Sequence, residues 1–119
     1  MFTISKIKVL TVGLSNQSVM FRKLPIRIKN LRCAAEAVRS LKTENFDSIV
    51  SKWDLADMKN GKFIKNLRGI KANVPIIAIT ESGNFEQEIA ARSIGVSAVI
   101  PEQSDEQIFI STIYQTLGL

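Results

Sequence analysis

The chain contains no histidine. That absence removes a Ser-His-Asp or Cys-His catalytic site, a histidine phosphoacceptor and imidazole metal ligands, all of which need the ring nitrogens. Cysteine is almost as scarce. Cys33 stands alone, so no internal disulfide can form, and a reducing compartment suits the chain. No window approaches the ~18 apolar residues of a membrane helix. Lys6 and Lys8 interrupt the apolar start, and no small-residue cleavage site follows it. Neither GxGxxG nor GxxxxGK[ST] occurs, so nucleotide binding through those loops has no support. Internal repeats and low-complexity segments are missing too. A cytoplasmic protein without membrane contact is the expectation.

What is present is ordinary in bulk and uneven in charge. With 119 residues, 45% hydrophobic and 23% charged, the chain suits one folded domain over 1–119. Its net charge of +5 comes from one part of the sequence. Residues 1–35 carry Lys6, Lys8, Arg22, Lys23, Arg27, Lys29 and Arg32 and no acid, whereas the remainder is slightly acidic. Such asymmetry fits nucleic acid or an acidic protein partner, but a basic stripe without aromatic interleaving or a reading motif also fits a solvated face.

Hydrophobic spacing alternates between two periods along the chain. Lys6–Val12 ends in an apolar run that suits a central strand buried on both faces, and Gly13 ends it. Ser15 or Asn16 can cap a short helix through about Lys23, which Pro25 stops. Ile26–Leu31 alternates apolar and basic residues, as an edge strand does. Cys33, Ala34, Ala37, Val38 and Leu41 then recur at helical spacing over about 32–43. Residues 46–51 read as a buried strand. Phe63, Ile64 and Leu67 give the next helix its apolar face, closed by Gly69. Val74–Thr80 is a strand-length apolar run with Pro75 at its start. Phe85–Ile94 reads as a helix with Ile89, Ala90 and Ile94 inward and Gly95 beyond its end. Ser97–Ile100 makes a last short strand broken by Pro101. Ser104 caps a final helix through Leu117 whose core face is Ile108, Ile113 and Leu117. Strands alternating with helices imply an α/β fold, a parallel sheet with helices on both faces.

In open sheets of this kind, ligands and chemistry sit outside the carboxyl ends of the strands. Lys52 lies at such an end, within FDSIVSKWDLADMKNG. That stretch, with KVLTVG at the first strand, VPIIAIT at the fourth and GVSAVIPE at the fifth, resembles response-regulator receiver domains. The resemblance covers nearly the whole chain. It implies the flavodoxin-like (βα)5 doubly wound sandwich, with a five-stranded parallel sheet in the order 2-1-3-4-5.

The resemblance also implies a phosphorylation site, and the residues here depart from it. The family binds magnesium through two acidic residues after the first strand, where this chain has Gly13 and Leu14. Its phosphoacceptor aspartate corresponds to Lys52, and its conserved lysine to Glu102. Thr80 alone matches, and Val99 stands where a switching aromatic is common. A divalent cation needs several oxygen ligands, and an ordinary lysine ammonium is no phosphoryl acceptor at neutral pH. Neither a cofactor nor a metal is therefore expected, nor catalysis. Asp54 and Asp57 are candidate replacement acceptors or ligands, or simply solvated turn carboxylates. Lys52 and Glu102 carry the family's two charges in exchanged positions, so an ion pair between them is expected.

The expected role is a degenerate pseudo-receiver, a phosphorylation-independent protein–protein interaction module in bacterial signalling or transcriptional regulation. Phe85, Ile89, Val99, Ile110 and Tyr114 are the candidate interface for a signalling partner or a second copy. Two alternatives stay open: a phosphorylatable receiver with a non-standard site, and a nucleic-acid-binding module using the basic first third.

Overall fold

A computed structural model describes residues 7–14, 26–70 and 73–118. Five parallel strands form one sheet: β1 (Ile7–Val12), β2 (Ile26–Leu31), β3 (Ser48–Lys52), β4 (Ile76–Thr80) and β5 (Ala98–Pro101). Their order is β2-β1-β3-β4-β5, as expected. Four helices are described: α1 (Ala34–Thr43), α2 (Lys62–Ile70), α3 (Phe85–Ser93) and α4 (Glu106–Leu117). The helix expected between Ser15 and Lys23 lies outside the described residues.

Period-two alternation in the central strands sorts the core onto two faces. Leu10, Val12, Ile49, Ile76 and Ala78 join Ala34 and Ala37 of α1, Phe63, Ile64 and Leu67 of α2 and Ala91 of α3 in one buried cluster. Val9, Val50, Ile77 and Ile79 face the other way and pack with Leu14, Ile100, Phe109 and Ile113. Thr11, Ser48 and Ser51 are buried polar residues of the central strands, and each hydroxyl donates a hydrogen bond: to Asn30 Oδ1, Pro75 O and Lys52 O respectively. Polar groups so satisfied are tolerated inside the sheet.

Several local expectations are corrected. Cys33 is not on the helix; it is the extended N-cap residue of α1, and Val38 points outward, because Ala34, Ala37 and Ser40 occupy the inward stripe. Gly69 does not end α2, which runs one residue further to Ile70. Ile89 is 68% exposed, and Ala91 is the buried residue of α3. Pro101 does not break β5 but is its last residue, opposite Thr80. Because β5 is an edge strand, the missing N–H is not needed by a further neighbour. Asp105, not Ser104, caps α4 by accepting from Ile108 N at 2.9 Å. That shift sets the helix phase: Phe109 is buried at 2% exposure, while Ile108 is 52% exposed.

Candidate functional site

The carboxyl ends of β1, β3, β4 and β5 bring four of the five singled-out site positions together. Backbone bonds set their spacing: Trp53 N donates to Ile79 O at 2.8 Å, and Glu102 N to Thr80 O at 2.7 Å. Lys52 and Glu102 thus leave neighbouring strand ends on either side of β4. Lys52 Nζ lies 2.8 Å from Glu102 Oε1. The expected ion pair is present. Both side chains keep about a third of their surface in water (34% and 37%), so the pair shields the crevice without being sealed in it.

On the β1 side the site is closely packed at Gly13. Its φ of +78° is left-handed, and a Cβ built on it would meet Leu55 Cδ2 at 2.6 Å and Lys52 Cδ at 3.4 Å. Leu55 is itself buried. Any side chain at position 13 would have to displace Leu55, in a backbone conformation that glycine adopts most readily. Leu14, the fifth position, turns away and is buried in the second core cluster. Thr80 is buried at the end of β4.

These residues do not fit a magnesium ion. Gly13 and Leu14 supply no side-chain oxygen, Lys52 brings a positive charge, and Glu102 is engaged by it. Among the described residues no group of three or more acidic or cysteine side chains converges to hold a metal.

The two aspartates of the loop after β3 are both held by hydrogen bonds. Asp54 Oδ1 accepts from Asn60 N at 2.7 Å and its Oδ2 from Gln87 Nε2 at 3.1 Å. Asp57 accepts from Ala34 N at 2.9 Å and Ala35 N at 3.0 Å, placing a carboxylate at the N-terminus of α1, where the helix dipole favours it. Those two backbone donors hold the Asp57 carboxyl below its usual value. Sequence patterns could not reveal the long-range part of either role, since Ala34 and Ala35 lie on α1 and Gln87 on α3. Trp53 is buried, and its ring covers Gly61: a Cβ there would fall 2.2 Å from Trp53 Cζ2. Lys65 Nζ sits over the same ring, 5.8 Å from its centre.

The candidate interface residues divide between two helices. Phe85 and Ile89, 73% and 68% exposed, project from α3 on one side of β5. Ile110 and Tyr114 are half-buried on α4, on the other side, along a groove also lined by Asp105, Glu106 and Gln107. Val99 lies half-buried in β5 between them. Of the basic first third, Lys8 and Lys29 both meet Glu44, Lys8 at 3.4 Å. Lys6, Arg22 and Lys23 lie outside the described residues.

Comparison with known proteins agrees over nearly the full length. The sequence family described as the response regulator receiver domain matches residues 12–114. Among solved structures, a CheY-like response regulator receiver domain protein from Methanospirillum hungatei JF-1 is similar at 16% identity and a TM-score of 0.84, covering 96% of this chain and 95% of that one. The receiver domain of a sensor histidine kinase from Pseudomonas aeruginosa PAO1, with magnesium coordinated in its active-site cleft, has 20% identity, a TM-score of 0.80 and coverage of 97% and 100%. A chemotaxis response regulator of Vibrio cholerae gives 18%, 0.81, and 94% and 99%.

Proposed function

From the premise that the chain belongs to the response regulator receiver family of two-component signalling, we propose that it is a pseudo-receiver whose role does not depend on phosphorylation. The observation that carries this reading is the Lys52–Glu102 ion pair at the strand ends. Phosphoryl transfer to a receiver needs a nucleophilic carboxylate and a cation to offset the phosphate charge. Here the acceptor position is cationic, its neighbour just after β1 is a glycine packed against Leu55, and the acid stands where the family places its lysine. The Pseudomonas aeruginosa receiver has magnesium in its cleft; among the described residues of this chain no group of three or more acidic or cysteine side chains is placed to do likewise. Asp54 is a poor substitute acceptor, because both of its oxygens are already holding loop and helix.

The domain then acts by presenting a surface to another signalling protein in the cytoplasm, and it catalyses nothing. The most exposed large apolar side chains of α3, Phe85 and Ile89, with Val99 of β5 and Ile110 and Tyr114 of α4, form that surface. Large apolar and aromatic side chains are the usual anchors of such contacts. A nucleic-acid role is less well supported, since Lys8 and Lys29 are engaged by Glu44.

Incubation with acetyl phosphate and magnesium, followed by intact-mass measurement, tests the proposal. No phosphoryl adduct should form. A stable acyl-phosphate on any aspartate or glutamate would overturn it.

A further inference from the structure

Gln87 makes three hydrogen bonds, and no local motif requires two of them. Its backbone N–H donates to the N-cap side chain of Asn84 at 3.1 Å, which is ordinary capping. Its side chain does something else. Oε1 accepts from Glu81 N at 2.8 Å, and Nε2 donates to Asp54 Oδ2 at 3.1 Å. One amide therefore spans the turn after β4 and the loop after β3. Asp54 passes the connection on to Asn60 N, and Asn60, at φ +60°, precedes the left-handed Gly61 that lies under Trp53. Gly61 N donates back to Trp53 O at 3.0 Å. The turn after β4 is tied from its other side too, because Gln103 N donates to Ser82 Oγ at 2.9 Å and Glu102 N to Thr80 O.

We propose that Gln87 is a clasp that joins the loops after β3 and β4 into one unit, so that the site end of the domain holds a single conformation. A conformational switch requires an element with two arrangements of similar free energy. The turn Glu81–Asn84 lies next to the crevice outside any strand or helix, and here it is bonded on both flanks. The asymmetric amide of glutamine suits the position, since it must accept from a backbone N–H with one atom and donate to a carboxylate with the other. Gln87 is a positioning residue: it acts on the crevice through Asp54 and Glu81. This inference concerns conformational exchange and does not rest on whether the site takes phosphate.

The test is amide hydrogen exchange by NMR on the intact chain, comparing the unmodified protein with Gln87→Leu and Gln87→Ala. Two variants are used so that an effect of side-chain volume can be separated from loss of the amide. Loss of the clasp should speed exchange of the Glu81 and Asn60 amides together, by about tenfold for hydrogen bonds of this class. The amide of Ala78 in β4 should keep its rate, which a general loss of stability would not allow. The unmodified protein should show no relaxation dispersion across residues 81–84. Acceleration at Glu81 with Asn60 unchanged in both variants would show the loops to be independent and overturn the proposal, as would dispersion across that turn in the unmodified protein.

Discussion

The two ends of the sheet both carry lysine–glutamate pairs, and they use them differently. Near the amino ends of β1 and β3, Glu44 gathers Lys8, Lys29 and the Ser40 hydroxyl, the last at 2.9 Å. Lys8 also lies over the Phe46 ring at 5.2 Å, and its backbone N–H and C=O both bond Asp47. At the carboxyl ends, Lys52 meets Glu102 across β4, and the surrounding loops are bonded to one another through Asp54, Gln87 and Asp57. The first end is a solvated staple in which several donors converge on one acid. The second pairs a cation with an anion, each about one-third exposed, at strand ends whose loops are bonded to one another. Convergence lowers a carboxyl pKa, whereas pairing within a fixed frame keeps the crevice filled.

The largest effect that separates the two ends should come from Gly61. A Cβ there would collide with the buried Trp53 ring, and the backbone sits at φ +68°. Gly61→Val should lose about 3 kcal/mol or more from strain and overpacking together. Gly83→Ala is the matched control: φ is +80° but nothing lies within 4 Å of the new Cβ, so only the left-handed strain of about 1 kcal/mol remains. Urea unfolding followed by Trp53 fluorescence measures both. Equal losses would mean that the loop under Trp53 is not closely packed.

Acid should erode the solvated staple. The Lys29 hydrogen bond, then that from Ser40, brings the Glu44 pKa down from 4.5 to about 2. A group whose folded pKa is depressed adds stability that is complete above its unfolded value and disappears as pH falls through the folded one. Glu44 therefore contributes fully above about 4.5 and loses its contribution between there and about 2. Asp57 works in the same direction, its pKa lowered from 3.8 by the α1 backbone donors. Both carboxylates are open to solvent, so screening keeps the effect modest. Urea midpoints measured from neutral pH downward should decline across that window, and Glu44→Gln should flatten the decline. An unchanged slope in the variant would remove Glu44 from the account.

The fold and much of the crevice were legible in the sequence, for reasons that differ by element. Central strands are apolar on both faces, so β1, β3 and β4 stand out, and the charge exchange at 52 and 102 follows from the resemblance to the receiver family. Helix phase in α4 was not legible, because Ile108, Phe109 and Ile110 are consecutive apolar residues and period alone cannot choose among them. Ser104 and Asp105 are adjacent and both good caps, so the start was equally ambiguous. Gln87 and Asp57 were invisible for another reason. A glutamine in a helix's first turn and an aspartate in a polar loop look solvated until the fold brings distant backbone groups to them.

The measurement that bears most directly on the site is a double-mutant cycle across the Lys52–Glu102 pair. Lys52→Met and Glu102→Gln should each lose about 1 kcal/mol in urea unfolding, because either change leaves a charge in a half-buried site. The double variant should lose less than the sum of the two, with a coupling of about 0.5–1 kcal/mol for a pair one-third exposed. Strictly additive losses would contradict the account, since the two side chains would then be neighbours that do not compensate each other.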